Sequence, residues 1–192
     1  MNSTHTPRPD EAIAATGKWL DRAVIGLNLC PFAKSVQVKK QVRYVVSDAT
    51  DTNALLVDLE RELLHLAAVV PEETDTTLLI HPYVLGDFDD FTDFLDLVEV
   101  VVRLQGLAGV LQVAHFHPDY CFADAEPDDI GNYTNRAPYP TLHLIREASI
   151  DRAVAAFPDA SQIYERNIET LTRMGLDGWR ALDVDAPKQS GD

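Results

Sequence analysis

Two stretches of this chain hold residue types that can do chemistry. The first is Leu27-Asn28-Leu29-Cys30-Pro31-Phe32-Ala33-Lys34, where Pro31 forces the backbone out of a continuing helix directly after a thiol. A new helical turn starting at Pro31 would aim backbone N–H groups at the Cys30 sulfur, and Lys34 would add a positive charge one turn on. Both act to lower a thiol pKa from its ordinary value of about 8.5. Cys30 is therefore a candidate nucleophile, redox thiol or metal ligand, and a Cys-Pro pair also suits thiolate ligation of haem. The competing reading makes it a small buried hydrophobe closing a helix.

The second stretch runs from His115 to Pro140. On a strand, His115 and His117 share a face, which suits a base or two imidazole ligands to one transition metal such as zinc or iron, with Cys121 or Asp119 as a third ligand. His81 and His143 join them if their strands are neighbours; otherwise each is a satisfied core or edge histidine. Asn132, Asn135 and Arg136 sit among aromatics and prolines, a composition suited to recognition, and Arg136 offers a planar fork to a carboxylate or phosphate. Alternatively, Arg136 pairs with Asp124, Asp128 or Asp129 and simply orders the loop. These residues support an enzyme acting on a small polar anionic substrate, with Cys30, His115 and His117 catalytic and Lys34, Asn132, Asn135 and Arg136 binding. The alternatives are a metal- or haem-binding protein using the same side chains and a non-catalytic interaction domain. The reaction class is not set by them.

The elements that must position these groups follow from hydrophobic period. Apolar residues at helical spacing predict helices over 10–29, 51–70, 88–104, 150–157 and 161–182, and β-branched runs predict strands over 41–47, 76–84, 109–117 and 140–146. The rhythm is that of an α/β or α+β domain with one mixed four-stranded sheet and helices packed on it, a ferredoxin-like variant among the options. One domain over 10–182 is expected between disordered tails at 1–9 and 183–192. The connection from Pro118 to Tyr139 is too long for a structureless loop, so it is expected to be functional or internally structured, and the functional loop is the favoured reading.

Charge narrows the partners. With 16 Lys+Arg against 31 Asp+Glu and a net charge of -15, the chain lacks the basic face that nucleic acid or an anionic membrane surface requires. A small-molecule substrate is the expected partner. No signal-like start and no apolar run of spanning length is visible, so a cytoplasmic location is expected, where both cysteines would stay free.

The segments WLDRAVIGLNLCPFAK (19–34) and NYTNRAPYPTLHLIREASIDRA (132–153), with Val42–Ser47 and Phe116–Tyr120, resemble a bacterial family described as domain of unknown function 1415. The resemblance covers nearly the whole expected folded body. It implies a single-domain protein of about this length and carries over no activity or catalytic residue.

Overall fold

Thr76-Thr77-Leu78-Leu79-Ile80 is buried along its whole length, as a strand covered on both faces must be. The computed structural model describes residues 6–156 and 162–186. In chain order the elements are α1 (Pro9–Trp19), a π-helical segment (Leu20–Ile25), α2 (Ala33–Val38), β1 (Val42–Val46), α3 (Thr52–Ala68) and β2 (Thr76–Ile80). They continue with α4 (Phe88–Leu104), β3 (Leu111–Phe116), a 3-10 turn (Ile130–Thr134), β4 (Thr141–Arg146), α5 (Glu147–Ala156) and α6 (Ile163–Ala181). No helix among the described residues is long and apolar enough to cross a membrane.

The four strands form one mixed sheet in the order β1-β2-β4-β3. β1 runs parallel to β2, while β4 lies antiparallel to both β2 and β3. The β2-α4-β3 unit is thus split by an inserted strand, the feature this sheet shares with ferredoxin-like folds. Alternation along each strand creates two cores. Leu79, Leu142, Leu144 and Leu111 face α3 and α4, where Leu55, Leu59, Leu63, Leu66 and Phe91 are wholly buried. Leu78 packs on the other side with Trp19, Ala23, Leu171 and Trp179. Each fully buried leucine adds about 1.5–3 kcal/mol of transfer free energy.

The first helix differs from its sequence expectation. α1 passes into a π turn instead of continuing regularly to Leu29, and Asn28 at φ 55 ends it, so that the Leu29 N–H reaches back to the Val24 carbonyl. A left-handed residue is where asparagine is tolerated, and it turns the chain before Pro31. The expected disordered tails fall largely on 1–5 and 187–192, outside the described residues. Within the described part, the Tyr83 hydroxyl donates to the Pro7 carbonyl and Val184 is 2% exposed in the second core.

Helix α4 begins at Asp87, whose carboxylate accepts from the Asp89 and Asp90 N–H groups at 3.0 and 3.1 Å. Replacing it with alanine is expected to cost about 1 kcal/mol, read as a lower urea midpoint at unchanged slope. A change below about 0.3 kcal/mol would show that the cap contributes nothing.

Candidate functional site

His81 and His117 leave the ends of β2 and β3 on the α4 side of the sheet and are both 0% exposed. With His115 they surround the Phe91 ring, at centroid distances of 5.8, 5.1 and 6.2 Å for His81, His117 and His115. His117 is fixed as one tautomer: Nδ1 accepts the Asp119 N–H at 3.1 Å, and Nε2 therefore donates to the Leu85 carbonyl at 3.1 Å. His81 donates from Nδ1 to the Val84 carbonyl at 3.2 Å, and its Nε2 has no partner. His115 stacks on Tyr120, and its Nδ1 is likewise buried and unpartnered.

Burial lowers all three imidazole pKa values, for His81 to about 4. For His117 the Leu85 carbonyl and the carboxylates of Asp119 and Asp87 partly oppose that push. These rings are held neutral and aromatic-packed, and two of them clamp the β2–α4 loop by its carbonyls. His143 lies on the opposite face of the sheet, opposite Leu78, and its Nε2 sits 2.6 Å from the Thr76 hydroxyl.

Cys30 packs against the second core, the one containing Leu78 and Trp19. Its sulfur does receive backbone N–H groups, from Phe32 and Ala33, as the break at Pro31 requires. Burial outweighs them and pushes the thiol pKa up. Cys30 and the three clustered histidines therefore sit on opposite sides of the sheet, and the structure does not bring them together. Lys34 is exposed on α2.

Inside the 118–140 connection the polar side chains hold the loop to itself. Asn132, 0% exposed, donates to the Glu126 carbonyl at 2.8 Å and accepts the Phe122 N–H at 3.0 Å. Cys121 lies against the Ala125 carbonyl and within 3.8 Å of the Asn132 amide nitrogen. Asn135 donates to the His115 carbonyl at 3.4 Å, while its own carbonyl accepts from the His117 N–H. Arg136 partners no loop acid in this arrangement; its Nε and Nη2 donate to the Tyr120 and Pro127 carbonyls at 3.1 and 2.7 Å. Its guanidinium carbon also lies 4.2 Å from the Tyr133 ring centroid, a cation–π distance.

That arginine lines a pocket of about 280 Å³ between the connection and the end of the chain. One wall is Pro118, Tyr133, Arg136, Ala137 and Pro138; the other is Leu176, Trp179, Arg180, Val184, Asp185 and Ala186, with Trp19 at the base of α1 completing it. Gly131 packs close to α6: a Cβ there would stand 2.8 Å from Ile168 Cδ1, a contact that rotation of that side-chain end would relieve. Gly175 breaks α6 at φ 67 and ψ 176, a conformation open to glycine almost alone, and so redirects the turn that carries Leu176, Trp179 and Arg180.

The last segment is tied down by Arg22 Nη1 donating to the Leu182 carbonyl at 2.9 Å and by the ion pair of Lys18 with Asp183. Tyr133 meets Trp179 edge-on at 5.1 Å, and the Trp179 indole N–H is buried without an acceptor. Neither cysteine and no histidine is among the lining residues.

Sequence reasoning singled out Arg136 here and missed Trp19, Tyr133, Trp179 and Arg180 as site residues. Trp19 and Trp179 read as ordinary apolar positions of amphipathic helices, and no local spacing links positions so far apart in the chain. Among the described residues, no group of three or more His, Cys, Asp or Glu side chains is placed to hold a metal ion. A family model described as a protein of unknown function (DUF1415) matches residues 11–181. No curated protein and no solved structure matches the chain.

Proposed function

We propose, for a chain that belongs to this protein family of unknown function, that it binds a small organic anion in the pocket between the 118–140 connection and the end of α6. The observation that carries this reading is the placement of two guanidinium groups, Arg136 and Arg180, on one aromatic-walled cavity in a chain of net charge -15. Anions are repelled by the molecule as a whole, so a local pair of arginines is what would make one spot attractive to them. Few convergent polar groups in a mostly apolar concavity is also the usual composition of a small-molecule site. Any reaction carried out there would use groups other than Cys30 and the clustered histidines, because those lie off the pocket.

A thermal-shift panel tests the reading. Small carboxylates and phosphate esters are compared with neutral analogues of the same shape, on the unmodified chain and on Arg180→Gln. At a concentration of about 100 times the dissociation constant, a ligand that binds only the folded state adds about 2.7 kcal/mol. At least one anion is expected to raise the midpoint where its neutral analogue does not, with a smaller rise in Arg180→Gln. Equal shifts from anions and neutral analogues, or none from any anion, would overturn the proposal.

A further inference from the structure

The geometry points to a planar aromatic monocarboxylate as the ligand class of this pocket, an assignment that rests on the anion-binding reading above. Charge is the first argument. Arg136 and Arg180 are set against Asp185 in the lining, and Asp177 pairs with Arg180 beside it, so the formal charges balance, two against two. Arg136 has already used Nε and Nη2 on carbonyls, and Arg180 holds Asp177 through Nη1 at 3.2 Å, which leaves the Nε and Nη2 edge of Arg180 as the open guanidinium edge of the pocket. A phosphate dianion or a dicarboxylate asks for a positive surplus and for a second bidentate partner, and the Nε and Nη2 edge of Arg136 is otherwise engaged. One carboxylate matches what remains.

Shape and surface give the second argument. The volume of about 280 Å³ lies just under the roughly 300 Å³ at which drug-sized sites begin, so the occupant is of single-ring scale. Trp19, Tyr133 and Trp179 supply the walls, and the Tyr133–Trp179 pair already shows the edge-on geometry into which a third ring packs.

The chain holds two tryptophans, and both line the pocket, so intrinsic fluorescence reports on this site alone. Titrations would use phenylacetate, its neutral counterpart 2-phenylethanol, the saturated cyclohexylacetate, phenyl phosphate and succinate. Each is run on the unmodified chain, on Arg180→Gln, whose side chain is exposed at the rim and leaves folding intact, and on Arg136→Lys. Phenylacetate is expected to give a saturable change and 2-phenylethanol to bind at least about tenfold more weakly, since a charged hydrogen bond of about 1.5–3 kcal/mol corresponds to that factor or more, while cyclohexylacetate, phenyl phosphate and succinate are expected to bind more weakly than phenylacetate. Arg180→Gln is expected to weaken phenylacetate severalfold with unchanged circular dichroism, and Arg136→Lys to weaken it further.

Phenyl phosphate or succinate binding more tightly than phenylacetate, and sensitive to Arg180→Gln, would overturn the monocarboxylate assignment while leaving the anion site standing. Cyclohexylacetate binding as tightly as phenylacetate would remove the aromatic requirement alone. If 2-phenylethanol matches phenylacetate, or if no anion perturbs the tryptophans, the assignment and the anion-binding reading both fall.

Discussion

Acid is expected to unfold this protein well before its carboxylates alone would require. His81 and His143 are each pushed by burial from an ordinary 6.5 down to about 4. His143 keeps a little accessible surface, but protein surrounds its ring closely enough that burial is the whole cause of the displacement. The unfolded chain binds a proton at each histidine below about 6.5, and the folded chain does so only near 4. Stability from the neutral rings is therefore complete above pH 6.5, is lost as pH falls from there, and is gone below about 4. A gap of this size is worth about 3 kcal/mol per histidine, with a slope approaching about 1.4 kcal/mol per pH unit for each.

The competing effect has the opposite sign. Net charge shrinks as the pH approaches the sequence pI of about 4.6, relieving self-repulsion. Comparing the unmodified chain with His81→Phe and with His143→Leu cancels that contribution, because only the histidine term differs. Chemical denaturation between pH 7 and 4.5 is expected to give a pH slope flatter by about one proton in each variant, whatever its absolute stability. Parallel slopes would show that these imidazoles titrate normally in the fold.

Phe91→Ala is the substitution expected to cost most. Phe91 is 0% exposed and packs against His81, His115, His117 and Phe88. Removing its ring takes away the transfer free energy of a large side chain and leaves a cavity bordered by imidazoles whose His81 Nε2 and His115 Nδ1 already lack partners. The expected loss is about 3–5 kcal/mol, a large part of the stability of a typical domain. Urea denaturation at pH 7.5 with an unchanged slope would measure it; a loss under about 1 kcal/mol would mean that the neighbouring rings collapse into the space. Because the same rings hold the Val84 and Leu85 carbonyls, faster amide exchange is expected across 81–87 in this variant.

Much of the fold is legible in local pattern. The α4 range of Phe88–Leu104 falls where a period of 3.6 places it and the four strands fall within the β-branched runs that mark them, although β2 ends at Ile80, short of the expected 76–84, because His81 to Val84 turn into the loop before α4. The 118–140 connection carries its signal in length and composition, and the 3-10 turn at Ile130–Thr134 with the Asn132 bonds shows how it is internally structured. Short α2 left no pattern long enough to read. The π turn at Leu20–Ile25 is likewise silent, since its residues keep the same apolar stripe that a regular helix would have.

By itself, then, the sequence determined the order and type of the main helices and strands, the acidity that leaves no broad basic face, and the unusual length and composition of the 118–140 connection. Tertiary structure alone decided which of the chemically capable residues meet. The insertion of β4 between β2 and β3 puts His143 on one face while His81, His115 and His117 line the other, and strand order has no local signature. Alternation with a period of two sends Cys30's neighbours to one side of the sheet and His81, His115 and His117 to the other, so these chemically matched groups stay apart. Conversely, Trp19, Arg136 and Trp179 converge on one pocket, and the break at Gly175 turns the part of α6 that carries Trp179 towards it. Contacts between residues more than a hundred positions apart are fixed by packing of whole elements, and no spacing along the chain encodes them.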